Sequence, residues 1–549
     1  MPYDAARTTL DDLLKQDAVA RIWHRDVSVW GAEPGSEVGR AIGNRLGWLD
    51  LPTTMVERLT QVDGLAEGVR AEGITHVYLL GMGGSSLCAE VMRCVFGERD
   101  GSPRLVVMDT TDESAIAGVL SALDPARTFF LVSSKSGGTI EPASMEKLYW
   151  EHMSRALGAE AGRHFAAVTD PGTALAQLAT ERGYREVFLN PPDIGGRFSA
   201  LSLFGLVPGA LIGAPVREML SAGGDMAAGC RQANHKNPGL ELGAFYGTAA
   251  REGRDKLTVV LPGALRSLGL WIEQLVAEST GKHGTGALPV VDEPLGDPAE
   301  YGNDRCFVAV GTEHEELDDR RLDALEAAGH PVLRLTTREH ALGAEFFRWE
   351  FATAVAGAVL GINPFDEPNV AEAKEKTKSI LASGDLSGGR PAASGDGIEV
   401  FSKFAGKTPA AVVRAAVDSI KPGDYVTFLS YLPAADATTQ AIAAIRGRLR
   451  QRTHAASTFG VGPRYLHSTG QYHKGGPNTA VAFVITGDDE TNTPIPEAPY
   501  TFSQLKRAQA VGDAQTLEAH GRRTVMIHIN RGVDAPTTLT ALFDQALRT

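Results

Sequence analysis

Short apolar runs alternate with longer stretches of helix-forming residues along the first part of the chain. The runs are rich in β-branched and aromatic side chains, which is typical of strands buried on both faces of a parallel sheet. Five come first: HVYLLG (76 to 81), RLVVMD (104 to 109), TFFLVS (128 to 133), HFAAVT (164 to 169) and EVFLN (186 to 190). This alternation predicts a doubly wound α/β sheet with helices on both faces.

A second series of the same kind begins after residue 250. Its strand candidates are KLTVVLPG (256 to 263), CFVAVG (306 to 311) and PVLRLT (331 to 336), and an apolar helix is predicted over 343 to 361. A second α/β unit is therefore expected.

A Gly/Ser/Pro-rich stretch, SGDLSGGRPAASGDG (383 to 397), predicts an exposed linker or loop before the last part of the chain. Four more strand candidates follow it: DYVTFLSYL (424 to 432), STFGVG (457 to 462), AVAFVIT (480 to 486) and TVMIHI (524 to 529). These strands would complete the second sheet or form a third small layer.

The pattern as a whole predicts an α/β protein with two doubly wound parallel-sheet domains, each an αβα sandwich. We expect an N-terminal helical arm over 1 to 50, a first domain over 51 to 215 and a second domain over 216 to 380. A C-terminal segment over 381 to 549 is expected to complete or extend the second domain. With 549 residues, 43% of them hydrophobic, the chain can fill two or three packed domains.

Charge and composition narrow the classes of function. The formal net charge of −14 gives a field that repels nucleic acid and anionic membranes, so neither is expected as a partner. The chain has no long apolar stretch, and acidic residues stand near its start where a signal peptide would carry bases, which favours a soluble cytoplasmic protein. The four cysteines form no C-x-x-C pair, and no H-E-x-x-H occurs, so we expect neither a metal nor another cofactor.

A glycine- and serine-rich loop, GMGGSSLCAE (81 to 90), connects a predicted buried strand to a predicted helix. Its glycines let the backbone approach a ligand, and Gly84 and Ser85 stand where the new helix offers free N–H groups to an anion. Ser86 holds the position of the third glycine of the dinucleotide fingerprint, so that motif is not matched. A merely tight turn remains the alternative for this loop taken alone.

A second loop, SSKSGGTIEP (133 to 142), also follows a buried strand and precedes a helix. Ligands of open α/β sheets bind along the carboxyl edge, where both loops emerge. Ser134, Ser136 and Thr139 supply hydroxyl groups, and Lys135 supplies a positive charge unless it is only a solvated loop lysine. Two such loops on neighbouring crossovers predict a phosphate site.

Five segments together resemble the glucose-6-phosphate isomerase family and its sugar-isomerase (SIS-type) phosphate-binding fold. They are GMGGSS, SSKSGGTIE, GGRFSALSLFG (195 to 205), EQLVAESTGK (273 to 282) and NPFDEPNVAEAK (363 to 374), and one more match lies near 467. The resemblance implies a sugar-phosphate substrate, an aldose-ketose isomerisation of glycolysis and gluconeogenesis, and a homodimer. By position it implies that the phosphate is bound by Ser85, Ser134, Lys135, Ser136 and Thr139.

The resemblance also places Arg197, Glu278 and Lys374 at the reacting end of the substrate, with Glu367 where the family usually has Gln. The chemistry independently needs such groups, because a base must move a proton between C2 and C1 through a cis-enediol. A partly buried carboxylate such as Glu278 suits that task, and the fixed charge of Arg197 can stabilise an enediolate. An interdomain salt bridge is the alternative role for Arg197.

Lys374 lies seven residues after Glu367, two helical turns on, so both side chains can point into one cleft. It would assist ring opening or hold the ring oxygen, and a plain surface pair is the alternative. The family opens the ring with a His donated across the dimer interface. The candidate here is His467 in YLHSTGQYHKGGP (465 to 477), which comes after the Lys374 segment instead of before it. His473 is a competitor for the same role.

The leading function is the interconversion of glucose 6-phosphate and fructose 6-phosphate by cofactor-free proton transfer. An isomerase that also accepts mannose 6-phosphate is a second hypothesis, because the motifs do not identify the residue that discriminates at C2. A non-catalytic sugar-phosphate sensor is a third. The joint presence of Glu278, Arg197 and Lys374 argues against the sensor, which needs none of them.

Overall fold

Three sheets organise the computed structural model, which describes residues 3–315, 317–338 and 341–548. The strand order is β2-β1-β3-β4-β5 in the first sheet, β7-β6-β8-β9 in the second and β10-β11-β15-β14-β12-β13 in the third. The strands are β1 (His76–Gly81), β2 (Arg104–Met108), β3 (Thr128–Ser133), β4 (Phe165–Thr169), β5 (Glu186–Leu189), β6 (Lys256–Val260), β7 (Leu288–Val290), β8 (Arg305–Thr312), β9 (Val332–Thr337), β10 (Ala393–Gly395), β11 (Ile398–Ser402), β12 (Tyr425–Ser430), β13 (Ala456–Val461), β14 (Ala480–Gly487) and β15 (Arg523–Ile529).

Helices cover the sheets and connect their strands. They are α1 (Asp4–Lys15), α2 (Ala18–Trp23), α3 (Glu37–Gly43), α4 (Leu51–Thr54), α5 (Leu59–Ala71), α6 (Leu87–Phe96), α7 (Glu113–Ala122), α8 (Ile140–Leu157), α9 (Ala174–Glu181), α10 (Leu203–Leu211), α11 (Val216–Cys230), α12 (Pro238–Arg251), α13 (Leu268–Thr280), α14 (Asp319–Ala327), α15 (Leu342–Leu360), α16 (Val370–Ser383), α17 (Pro409–Asp418), α18 (Asp436–Thr453), α19 (Gly470–Gly475), α20 (Phe502–Ala519) and α21 (Ala535–Leu547).

The first sheet is fully parallel, and its order reverses at β1, which has β2 on one side and β3 on the other. Every residue of β3 is buried, which explains why this strand is a continuous apolar run and not an alternating one. The crevice outside the carboxyl ends of strands at such a reversal is where ligands of open α/β sheets bind. The predicted α/β class with parallel sheets is confirmed.

The second sheet is parallel as well and contains the three strands predicted for it. It also contains β7, which the sequence pattern did not reveal because the strand is only three residues long. The predicted apolar helix is α15, and it is buried on all sides along most of its length. A helix in that position needs no polar face, which accounts for its mostly apolar sequence, although Glu345, Arg348 and Glu350 are also buried in it.

The strands after residue 390 form a third sheet instead of completing the second one. Strands β12 to β15 are parallel, and the unpredicted hairpin β10–β11 adds to β15 in the antiparallel sense. Edge strands β7 and β13 of the second and third sheets run close together. Apolar side chains from both sides of this boundary, among them Leu288, Tyr425 and Tyr472, share one cluster. The domain boundaries at 50, 215 and 380 stay predictions.

The predicted N-terminal arm is helical and packs on the helices of the second α/β unit. Thr248 of α12 donates a hydrogen bond to Thr9 of α1 at 2.8 Å, and the Trp30 indole donates to the Ala354 carbonyl of α15 at 2.8 Å. Within the ranges described, none of the helices combines the length and the apolar character that crossing a bilayer requires.

Candidate active site

The two glycine- and serine-rich loops leave β1 and β3 side by side, at the point where the first sheet reverses. Gly81 and Ser133, the last residues of these strands, are paired in register. The first loop continues as a 3-10 turn that holds Gly84 and the buried Ser85. A Cβ atom at Gly84 would overlap the carbonyl oxygen of Gly196, so only glycine allows this loop to approach the GGR segment.

The second loop gathers three hydroxyl groups in front of helix α8. The Ser134 hydroxyl donates to Thr139 at 3.4 Å, and the Ser136 hydroxyl lies 3.5 Å from the same oxygen. Gly137 has φ +67°, a left-handed conformation that favours glycine. Lys135 forms an ion pair with the carboxylate of Asp170. Hydroxyl groups, free helix N–H groups and a neighbouring lysine are the donors that a phosphate needs.

Arg197 is buried and lies between the first loop and the second α/β unit, with 3% of its surface exposed. Its Nε donates to the Ser279 hydroxyl at 2.7 Å, and one terminal nitrogen donates to the carbonyl of Pro364 at 2.8 Å. Its other terminal nitrogen, NH1, lies 3.4 Å from Glu278 and 3.0 Å from Glu367. The guanidinium group is therefore held in one orientation between two carboxylates.

Glu278 lies near the carboxyl end of α13 and is 9% exposed. Burial raises the pKa of its carboxyl group above the usual value. The charge of Arg197 opposes this rise in pKa, and the charge of Glu367 adds to it. A carboxylate whose pKa is raised towards neutrality is suited to accept and return a proton.

Gln274 precedes Glu278 by one helical turn and connects it to the loop after β13. Its amide nitrogen donates to the Glu278 carboxylate at 3.1 Å and to the backbone carbonyl of His467 at 2.8 Å. His467 thus lies at the same site as Glu278, within a single chain. The reversed order of the motifs does not separate them in space.

The imidazole of His467 points to the second loop, where it meets a buried carboxylate. Its Nε2 lies 3.0 Å from Oε1 of Glu141, which is 2% exposed, and the Gln509 amide donates to the same oxygen at 2.7 Å. Burial acts to raise the pKa of Glu141, but the charge and hydrogen bond of His467 lower the pKa overall. The Thr111 hydroxyl in turn donates to Gln509 at 2.9 Å.

Glu141, His467 and Gln509 line a cavity shared by the second loop, α16 and the segment after β13, and among the described residues Glu278 and Arg197 are not part of its walls. Its walls include Ser136, Thr139, Glu141, Lys374, His467 and Gln509. Lys374 is exposed on α16, and its charge contributes to the lowered pKa of Glu141. Lysine, imidazole and hydroxyl groups therefore face one space.

His473, the alternative to His467, lies away from this cavity. Its ring is 1% exposed, with Nδ1 2.8 Å from the Tyr425 hydroxyl and Nε2 3.5 Å from the Thr427 hydroxyl. Burial, reinforced by the charges of Lys474 and Arg522, lowers the pKa of His473 to about 3. An imidazole in that environment stays neutral and packs in the core.

All the predicted site residues lie on adjoining segments, and three further residues join them. Gln274 was predictable from its i, i+4 spacing to Glu278. Glu141 stands in the SSKSGGTIEP segment, where a Glu in the first turn of a helix is usually explained by the helix dipole. No local signal identifies Gln509, because its role depends on a contact between distant parts of the chain. Among the described residues, no group of three or more His, Cys, Asp or Glu side chains is placed to hold a metal ion.

Known proteins similar in sequence to this chain include several glucose-6-phosphate isomerases. The family described as Phosphoglucose isomerase matches residues 53–303. A glucose-6-phosphate isomerase of Rubrobacter xylanophilus is 30% identical over 397 residues, which cover 62% of this chain and 90% of the relative. One from Carboxydothermus hydrogenoformans is 32% identical over 398 residues, covering 61% of this chain and 85% of that protein.

Two solved structures share the fold at lower sequence identity. A hypothetical protein of Thermus thermophilus aligns with a TM-score of 0.61 at 24% identity, covering 69% of this chain and 98% of the other. A glucose-6-phosphate isomerase of Chlamydia trachomatis aligns with a TM-score of 0.54 at 20% identity, covering 69% and 86%.

Proposed function

This chain belongs to the phosphoglucose isomerase family, and on that premise we propose that it interconverts glucose 6-phosphate and fructose 6-phosphate through a cis-enediol. The observation that carries the proposal is the bridge formed by Gln274. This side chain bonds both the Glu278 carboxylate, at 3.1 Å, and the backbone of His467, at 2.8 Å. A candidate proton-transfer base and a candidate ring-opening group are thereby held in one site.

The substrate phosphate binds at the two loops that follow β1 and β3. Free N–H groups at the start of α8 and the hydroxyl groups of Ser134, Ser136 and Thr139 donate to its oxygens, and Lys135 adds a positive charge. The Lys135 ammonium group pairs with the Asp170 carboxylate and donates to the Pro192 carbonyl at 3.4 Å. Because these contacts are the same in the ground state and the transition state, they set affinity more than rate.

Ring opening uses His467 and Lys374. His467 exchanges a proton with the ring oxygen, and its pairing with Glu141 at 3.0 Å fixes the orientation of the imidazole. Lys374, which faces the same cavity, stabilises negative charge on that oxygen as the ring opens.

Glu278 then removes the proton from C2 of the open-chain aldose. The electrons of the C–H bond form the C1–C2 double bond, and the carbonyl oxygen at C1 takes up negative charge. The Arg197 guanidinium stabilises this enediolate, an effect that for one preorganised donor is worth about 3 kcal/mol. A proton passes from O2 to O1, and Glu278 returns its proton at C1 to give the ketose.

The test is incubation of the purified protein with fructose 6-phosphate in deuterated water. We expect glucose 6-phosphate that carries deuterium at C2, and fructose 6-phosphate that exchanges at C1. Absence of both turnover and exchange would rule out the isomerase. Mannose 6-phosphate supplied in parallel tests the wider substrate range.

Two variants test the role of Glu278 in proton transfer independently of phosphate binding. Glu278→Gln should abolish exchange and leave substrate affinity within about threefold, because the phosphate contacts persist. Glu372→Gln is the matched control, since Glu372 is an exposed carboxylate of α16 that pairs with His520 and should keep full activity. Near-normal turnover of Glu278→Gln would exclude it as the base.

A further inference from the structure

A second cavity, of about 220 Å³, lies where the three α/β units meet, and we call it the junction cavity. It is formed by side chains of α6, α13, α18, β13 and the segment after β13. They include Leu87, Leu270, Glu273, Arg446, Phe459 and Arg464. Among the described residues, its walls share no side chain with the cavity of the candidate active site.

Glu273 brings a buried carboxyl group to this cavity without a protein partner. Only 7% of the residue is exposed, and the described residues provide its carboxyl oxygens with neither a hydrogen bond nor an ion pair. Burial raises its pKa to about 8; the charges of Arg446 and Arg464 oppose this rise, and the charge of Asp292 adds to it. At neutral pH the group is therefore mostly protonated and can donate a hydrogen bond.

Two guanidinium groups each present one edge to the same space. Arg446 uses Nε and NH2 to bond Ser457 and the Val291 carbonyl, and Arg464 uses Nε and NH2 to bond Asp109. Within the described part of the chain, NH1 of neither arginine has a hydrogen bond. Arg266 and Asp292, which pair with each other at 2.7 Å, also line the cavity. Its charged and acidic groups are thus three guanidinium groups, the Asp292 carboxylate and the neutral acid Glu273.

We propose that the junction cavity binds a small organic anion, whose carboxylate or phosphate group is held by Glu273, Arg446 and Arg464. An anion accepts hydrogen bonds from all three groups, whereas a cation would be repelled by two guanidinium charges. Leu87, Leu270 and Phe459 offer contacts to a short carbon skeleton. The space equals roughly seven water molecules at ~30 Å³ each, which is enough for a small organic anion.

A ligand bound in this cavity would influence the active site through two short connections. Glu273 is the residue before Gln274, which bonds Glu278 and His467 from another face of α13. Arg464 begins the turn that ends at His467. A ligand that orders these two elements is therefore expected to alter kcat, and not only the apparent affinity for substrate.

Binding is tested by isothermal titration of the full chain with malonate and, separately, inorganic phosphate, each with saturating fructose 6-phosphate present. The sugar phosphate occupies the loops after β1 and β3, so remaining anion binding reports the junction cavity. We expect at least one of the two probes to bind at a single site. Comparison of the malonate and phosphate titrations distinguishes a carboxylate ligand from a phosphate ligand. No binding of either probe overturns the proposal.

Glu273→Leu should weaken binding at least about tenfold, because it removes a donor to a charged group. Glu273→Gln keeps a donor of the same shape and should bind within about threefold of the original chain. Equal affinity of both variants and the original chain contradicts the assigned role of Glu273.

If Glu273→Leu does not fold, two substitutions on α18 at the edge of the cavity still test the proposal. Ala443 and Ala444 are both exposed on α18, but only Ala443 lines the junction cavity. Ala443→Trp should abolish binding by covering the cavity, and Ala444→Trp should leave it unchanged. Retained binding in Ala443→Trp means that the anion sits elsewhere, as an adventitious ion only.

Kinetics provide the second readout, and this part rests on the proposed function. A bound anion should change kcat at saturating fructose 6-phosphate in the original chain and in Ala444→Trp, but not in Ala443→Trp. Purely competitive inhibition would exclude the coupling. A chain without isomerase activity would still show the difference between Ala443→Trp and Ala444→Trp in the titration, so the two proposals fail separately.

Discussion

Replacement of Glu367 by Gln should move the acid limb of the pH–rate profile to lower pH. The pKa of Glu278 is raised by burial first, and the negative charge of Glu367 adds to that rise. Removal of a proton from carbon requires the ionised Glu278 carboxylate, so the rate rises with pH as Glu278 loses its own proton. Removing the charge of Glu367 lowers the pKa of Glu278, and the active form then persists to lower pH.

The size of this shift follows from the shared contact with Arg197. Glu278 and Glu367 lie 3.4 and 3.0 Å from the same guanidinium nitrogen, so the two contacting oxygens are at most about 6 Å apart, and we use this upper limit. Two like charges at that distance repel by roughly 0.7 kcal/mol in water and roughly 2.8 kcal/mol at an effective dielectric constant of 20. At 1.36 kcal/mol per pKa unit, this repulsion corresponds to a shift of the Glu278 pKa by about half a unit to two units. Because the Glu367 side chain is 44% exposed, we expect about half a unit.

The assay compares kcat/KM against pH for the original chain, Glu367→Gln and Glu372→Gln. The substrate phosphate titrates with a pKa near 6 in all three, so only the difference between the profiles reports Glu278. Glu372→Gln removes an equal charge at a position away from Arg197, so the acid limb of the profile should stay in place. An acid limb that stays unchanged in Glu367→Gln, or moves to higher pH, refutes the coupling of these carboxylates through Arg197.

Three further predictions concern the histidines and the first loop. Glu141→Gln weakens a charge-assisted bond to His467 and should lower kcat about tenfold on fructose 6-phosphate. It should leave turnover of the 5-deoxy analogue, which cannot close the ring, nearly unchanged, whereas equal losses on both substrates would exclude a ring-opening role. Gly84→Ala should raise KM strongly, or unfold the chain in a denaturation assay, because the added Cβ atom overlaps a backbone carbonyl. Gly138→Ala should have only a mild effect, because a Cβ atom there meets open space. His473→Ala should lower the free energy of unfolding by about 2 to 4 kcal/mol and keep kcat, and loss of kcat in a folded His473→Ala protein would contradict its placement in the core.

Much of the fold could be predicted because buried parallel strands have a simple sequence pattern. β1 and β3 match the predicted runs at both ends, since each has an apolar centre and is bounded by polar or turn residues. β7 and the hairpin β10–β11 were missed, because three-residue strands carry no periodicity and β10 lies in a segment whose glycines and serines predicted a loop. The alternative between a completed second sheet and a third layer depends on which edges pair, and local patterns do not determine this.

The site was predictable wherever its chemistry is carried by a contiguous segment. The two loops, the GGR segment and the Glu278 helix each keep their residues within a few positions, so short motifs identified them. Glu141 and Gln509 were missed for different reasons. Glu141 has an ordinary explanation at the start of a helix, and Gln509 comes from α20, 368 positions along the chain from the carboxylate it contacts.

The reversed order of the Lys374 and His467 segments is resolved by the architecture. His467 lies beside the second loop, in the turn that follows β13. Lys374 reaches the same space from α16, which packs against α20 of the C-terminal part. Because each segment belongs to an element with its own packing, the chain can form these elements in a different order and still bring Lys374 and His467 to one cavity. Spatial convergence at sheet ends, and not the order of motifs, is therefore the stronger criterion for extending a family's site to a rearranged chain.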